Sequence, residues 1–134
     1  MKIAAVNHIA IICSDYAKSL EFYTEVLGCE VICEEYREER QSRRTALSLN
    51  GSYLIELFTF PDSPERPSYP EALGLRHLAF SVDDVEAVIA ELDSKGIVHE
   101  PLRIDTVHNE KTVFVHDPDK LPIEFVESLP ASQC

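Results

Sequence analysis

The chain has 134 residues, 45% of them hydrophobic, and carries 24 acidic against 12 basic side chains for a formal charge of −12. That length suits one compact domain, or two small subdomains sharing a core. The charge argues against the basic footprint that nucleic acid or an anionic membrane needs, and no run approaches the roughly 20 apolar residues of a membrane span.

The opening stretch MKIAAVNHIAIICSDY reads as a first strand over about 5–13. A His interrupts its apolar run and no small-residue cleavage site follows, so a signal peptide is not expected and a cytoplasmic location is. Asp15 can cap a helix running to about Leu27, with Leu20, Tyr23 and Leu27 on one stripe and Gly28 as the stop. Strand-type segments follow near 29–36, 44–49 and 53–60, and Asn50-Gly51 signals a hairpin between the last two. The stretch 61–74 holds four of the eight prolines (Pro61, Pro64, Pro67 and Pro70) and reads as a linker or a loop over a site. A strand near 76–82 comes next. Asp83 or Asp84 then caps a helix with Val85, Val88, Ile89 and Leu92 inward and Gly96 at its end. Strands near 97–104, 111–116 and 121–127 complete the chain, with Asp117-Pro118-Asp119-Lys120 turning between the last two.

The order is therefore βαβββ, twice, an α+β arrangement with repeat one over about 4–60 and repeat two over about 75–128. Other landmarks repeat with it. His8 and His77 lie 69 residues apart, Gly28 and Gly96 lie 68 apart, and the pairs Ile55-Glu56 and Ile123-Glu124 lie 68 apart. One residue of slippage in the helix accounts for the difference.

Two His and two Glu at equivalent places in a duplicated unit point to one divalent metal ion held by His8, Glu56, His77 and Glu124. Each half has its His on the first strand and its Glu on the last, so each sheet can present an imidazole and a carboxylate on one face. Taken singly, a His on an apolar strand is more often a hydrogen-bonded structural residue, and strand alternation can turn a Glu to solvent. Yet Glu56 in YLIELF and Glu124 in LPIEFVE have apolar neighbours that make an unpaired carboxylate costly. The N₂O₂ set without thiolate favours Ni, Zn, Fe, Co or Mn. Its wide spacing in sequence fits a catalytic site with open positions better than a structural zinc site. His99, His108 and His116 have no counterparts in the first half and read as surface or loop residues. Cys13, Cys29, Cys33 and Cys134 are expected as reduced thiols. Cys29 and Cys33 would stand about 13 Å apart along one strand, too far to bridge.

The segments NHIAI, SLEFYTEVLGCEV, LIELF, RHLAFSV and HDPDKLPIEFVE resemble the vicinal oxygen chelate superfamily, the glyoxalase/bleomycin-resistance proteins, over about Val6 to Glu127. The resemblance implies a single such domain over 1–134, with two βαβββ repeats forming a cup-shaped sheet and helices outside. It implies one divalent ion, Ni or Zn first, on His8, Glu56, His77 and Glu124. Bleomycin-binding members lack these ligands. Dioxygenases and fosfomycin-modifying members typically lack the carboxylate at the position of Glu56, where methylmalonyl-CoA epimerases commonly have Gln. The full set thus resembles that of glyoxalase I, a lyase that isomerises the methylglyoxal–glutathione hemithioacetal to S-lactoylglutathione, and by that analogy Glu124 is the catalytic base and Glu56 its symmetry mate.

Arg37, Arg40, Arg43, Arg44 and Arg76 are available for the carboxylates of glutathione, although Arg43-Arg44 equally suits an exposed strand start. The alternatives are another metalloenzyme on the same scaffold (an epimerase, a thiol transferase or a dioxygenase) or a protein that sequesters a small molecule. The partners expected are a small-molecule substrate and a second copy in a homodimer, with the repeats paired within one chain or across two.

Overall fold

A computed structural model describes residues 1–128. The chain divides into two compact units, Met1–Glu65 and the part from Arg66 onward. The first contains β1 (Ile9–Ile12), α1 (Tyr16–Glu21), a π-helical turn (Phe22–Val26), β2 (Glu30–Arg37), β3 (Ser42–Leu49) and β4 (Ser52–Phe58). Its sheet has the order β1-β4-β3-β2, with β1 parallel to β4 and the other pairs antiparallel. The second contains β5 (Leu78–Ser81), α2 (Val85–Ser94), β6 (Arg103–Asp105), β7 (Glu110–His116) and β8 (Pro122–Ser128). Its order is β5-β8-β7-β6, with β5 parallel to β8 and the rest antiparallel. The expected α+β fold of two βαβββ repeats is the fold found.

The repeat extends to the pairing register. Ala10 faces Glu56 across β1 and β4, and Ala79 faces Glu124 across β5 and β8. Ala46 and Phe114 occupy the corresponding places on β3 and β7. Each helix starts on an aspartate. Asp15 accepts from the Lys18 amide and Asp84 from the Ala87 amide, both at 3.1 Å, which assigns the second cap to Asp84.

The helices differ in one respect. Asp15 and Gly28 stand thirteen positions apart, and Asp84 and Gly96 twelve. The extra residue sits in the π turn, where the Leu27 amide reaches back five residues to the Phe22 carbonyl at 3.1 Å.

Alternation along the strands builds the two cores. Tyr23, Leu47, Ile55 and Leu57 are fully buried in the first unit, and Val85, Val113, Val115 and Ile123 in the second. Burying each such aliphatic side chain contributes about 1.5–3 kcal/mol. Tyr16 of α1 shares a hydrogen bond with Thr45 Oγ1 at 2.8 Å, which ties the helix to the face of β3 that carries Leu47. Residues of opposite parity on β3 (Arg44 and Ala46) lie on the other face.

Three departures from the sequence reading have local causes. The first strand begins at Ile9 rather than near residue 5, because its ladder starts at the Ile9–Ile55 pair. His8 therefore stands at the strand's entry. The stretch 97–104 is strand only from Arg103. The Glu100 amide bonds to the Phe114 carbonyl at 2.9 Å, but Pro101 follows and has no N–H to extend the ladder. A β-bulge interrupts β4, where Ser48 pairs with Tyr53 and Leu47 with Ile55, leaving Leu54 unpaired. The Asn50-Gly51 hairpin is as expected, with positive φ at both residues (51° and 80°), as a type I′ turn requires.

Cys13, Cys29 and Cys33 form no disulfide, and burial pushes the Cys29 thiol pKa up. Cys134 lies outside the described residues. Among the described residues no helix is long and apolar enough to cross a membrane.

Candidate metal centre

In the first unit, the entry to β1 and the middle of β4 bring His8 and Glu56 together, with Nε2 and Oε2 3.4 Å apart. In the second, β5 and β8 do the same for His77 and Glu124, with Nε2 and Oε1 3.6 Å apart. Within neither unit does a third His, Cys, Asp or Glu among the described residues join its pair to make a group that could hold a metal ion. Each pair supplies two of the four donors expected from the sequence. Donors bound to one ion at about 2.1 Å stand ~3.0 Å apart at a right angle and ~3.4 Å at the tetrahedral angle. Both spans lie close to the tetrahedral one, so each pair fits two positions of one divalent ion, and imidazole with carboxylate suits Zn, Ni, Fe, Co or Mn.

The surroundings of the pairs are not alike. Glu56 is buried, and two side chains of its own sheet hold it, with His8 beside them. Arg44 donates from Nε to Oε1 at 3.0 Å and from Nη2 to Oε2 at 2.8 Å, a two-point fork on the carboxylate. The Tyr53 hydroxyl donates to Oε2 as well. The Tyr53 ring also stacks on His8, with centroids 5.3 Å apart. The Arg44 guanidinium, helped by His8, holds the Glu56 carboxyl below the usual carboxylate range against the opposing effect of burial. Arg44 itself is raised by the same contact. It is therefore no exposed strand start; its side chain is 23% exposed and spans Glu56, Tyr53 and Glu35.

No such clamp surrounds Glu124. The positions equivalent to Arg44 and Tyr53 hold Thr112 and Leu121, and among the described residues no guanidinium reaches its carboxylate. His77 packs against Phe114 instead, the two rings nearly perpendicular with centroids 5.3 Å apart.

The outer ring nitrogens differ too. Asn7 Oδ1 lies 2.7 Å from His8 Nδ1, placed to accept the Nδ1 proton and so to orient the ring with Nε2 towards Glu56. At His77 the neighbour of Nδ1 is Arg76 Nη1, at 3.0 Å. Arg76 also borders a cavity of about 240 Å³ in the Pro-rich stretch, walled by Arg66, Tyr69, Leu73, Leu75 and Pro122. Arg66 closes that wall by donating to the carbonyls of Leu75 and Arg76 at 2.6 and 3.0 Å.

The other arginines face their own neighbours. Arg37 pairs with Glu35 at 2.9 Å, Arg43 lies over Tyr16 and Arg40 over Phe60. The remaining histidines stay outside both pairs. His99 bonds the Glu100 carbonyl and Asp93, which push its pKa up, and Asp105 raises His108 in the same way. His116 stands 3.8 Å from Glu100.

Sequence reading did not find the Arg44–Tyr53–Glu56 cluster. Strict alternation on β4 puts Tyr53 and Glu56, an odd and an even position, on opposite faces. The bulge at Leu54 reverses that, and nothing in YLIEL announces a bulge.

Comparison with known proteins agrees with this architecture. Residues 5–125 match the family model described as the glyoxalase/bleomycin resistance protein/dioxygenase superfamily. The uncharacterized protein YwkD of Bacillus subtilis is 55% identical over 127 residues, covering 95% of this chain and 99% of that protein. The crystal structure of a glyoxalase family protein from Enterococcus faecalis superposes with a TM-score of 0.85 at 47% identity, covering 92% of this chain and 97% of that one. The lactoylglutathione lyase of Schizosaccharomyces pombe is 29% identical over 142 residues, covering 90% of this chain and 46% of that protein. The chain belongs to the glyoxalase/bleomycin resistance protein/dioxygenase superfamily.

Proposed function

We propose that the chain is a metal-dependent lyase or isomerase of the glyoxalase I kind, with His8, Glu56, His77 and Glu124 as ligands of one divalent ion. The observation that carries this reading is the recurrence of a His–Glu pair, 3.4 and 3.6 Å across, at matching positions of both repeats. Two pairs are needed for one ion, so the repeats pair within a chain or across two copies, and a homodimer is the assembly we expect. The similarity to a lactoylglutathione lyase supports the reaction class.

A divalent ion held there would supply Lewis-acid polarisation of adjacent substrate oxygens, which makes the neighbouring C–H acidic. The chain's own part is proton transfer. Glu124 is assigned as the base because, among the described residues, no guanidinium or phenol meets its oxygens to hold their lone pairs. Its carboxylate takes the proton from the carbon bearing the hydroxyl and returns it to the neighbouring carbonyl carbon, while the hydroxyl proton passes to that carbonyl's oxygen, an isomerisation that consumes no oxidant. His8 and His77 would each offer an imidazole nitrogen to the ion, and Asn7 orients the first ring. The methylglyoxal–glutathione hemithioacetal is the substrate we assign first.

The test is metal analysis after reconstitution with Ni(II) or Zn(II), followed by turnover of that hemithioacetal. Bound metal with turnover is expected. Metal without turnover under any of several divalent ions would remove the substrate, and a protein that stays metal-free would remove the reaction class.

A further inference from the structure

Glu56 is the one candidate ligand whose oxygens are already occupied. A carboxylate oxygen has two in-plane lone pairs. Those of Oε2 are taken by Arg44 Nη2 and the Tyr53 hydroxyl, and one of Oε1 by Arg44 Nε. Oε2 is also the oxygen nearest His8, hence the one beside any ion that His8 binds. A cation entering there must displace a donor from Oε2, and it meets the fixed positive charge of Arg44. The bulge at Leu54 builds this arrangement into the first sheet only, since β7 and β8 pair without a register shift.

We propose that Arg44 and Tyr53 make Glu56 a displaceable ligand, which rests on the guanidinium while His8, His77 and Glu124 hold the ion. The inference depends on the metal-site reading above. It gives the four donors unequal parts. Three are persistent, and the fourth moves between Arg44 and the ion, so that a substrate oxygen can take its coordination position without driving a carboxylate into a site that has no partner for it. Arg44 is then a positioning residue that acts through Glu56. The rival arrangement has Arg44 and Tyr53 as outer supports that aim a permanently bound Glu56, as partners of metal-binding carboxylates often do.

A double-mutant cycle on metal affinity separates the two. The dissociation constant for Zn(II) alone is measured by competition with a chromogenic chelator for the wild-type chain and for R44M, E56Q and R44M/E56Q. R44K, which keeps the charge but cannot fork, serves as the second variant should R44M fail to fold. Displaceability predicts that E56Q changes wild-type affinity by no more than about threefold, because the clamped carboxylate contributes little. R44M should tighten binding about tenfold or more, the scale of one hydrogen bond to a charged group, and E56Q should then loosen R44M by a similar factor. R44K should fall between wild type and R44M.

Equal losses from E56Q with and without Arg44, or weaker binding in R44M, would overturn the inference and leave Arg44 as an outer support. The parent reading has its own controls. If H77A and E124Q bind Zn(II) as the wild type does, or if neither wild type nor R44M binds it, the metal site itself is wrong and this inference falls with it.

Discussion

Tyr53 and Glu56 lie three residues apart on one strand and still share a face of the sheet, because the unpaired Leu54 between them shifts the register by one. A phenol, a guanidinium and an imidazole thereby converge on one carboxylate. In the metal-free protein this contact is a stabilising one. Y53F should lower unfolding free energy by about 1.5–3 kcal/mol, the range for a hydrogen bond to a charged group. Urea denaturation after exhaustive chelation is the measurement, and an unchanged midpoint would mean that Arg44 alone satisfies Glu56.

The two glutamates should respond differently to the same substitution. With Glu124 as base, E124Q should lower kcat by about 10²–10⁴, the usual contribution of general acid–base catalysis. E56Q should cost much less, since its carboxylate is engaged by Arg44. Steady-state rates at saturating metal compare them directly, and equal losses would remove the distinction.

Asn7 offers a test that needs no substrate. Its amide oxygen lies 2.7 Å from His8 Nδ1, placed to accept a proton there. N7A should weaken Zn(II) affinity by about 10–100-fold, as loss of such outer partners does elsewhere, whereas N7D keeps an acceptor and should retain most of it. Unaltered affinity in N7A would show that His8 orients without help.

A pH dependence of stability should arise from the end of α2. His99 donates to the Glu100 carbonyl and to Asp93, so its folded pKa is raised above the ordinary ~6.5. The group therefore adds stability in full below its unfolded pKa and loses it as pH rises through the higher folded one. D93N should flatten the part of that decline owed to Asp93. Unfolding midpoints from pH 5 to 9, with the His99 imidazole followed by NMR, give the comparison.

The parts of the fold set by short-range chemistry were open to reading. Asp15 and Asp84 cap helices because a carboxylate before an apolar-periodic run has amides to accept from, and Asn50-Gly51 turns because both residues tolerate positive φ. The His and Glu positions were visible because duplication writes them twice. Arg44 was not, since its role depends on which β4 residue it faces, and the bulge that decides this follows from packing rather than composition. Pro101 shortened the strand expected near 97–104, since a missing N–H cannot extend the ladder.

The π turn at Phe22–Val26 has a consequence for how such a duplicated chain can change over time. An insertion within β4 beyond the bulge would move every later side chain to the opposite face and carry Glu56 away from His8. An insertion in the helix is absorbed by one widened turn, and the strands after it keep their pairings. The first helix thus works as a length buffer for the half that carries it. Deleting one residue of that turn should yield a regular α-helix with β2, β3 and β4 unmoved, so that the two copies would once again match residue for residue.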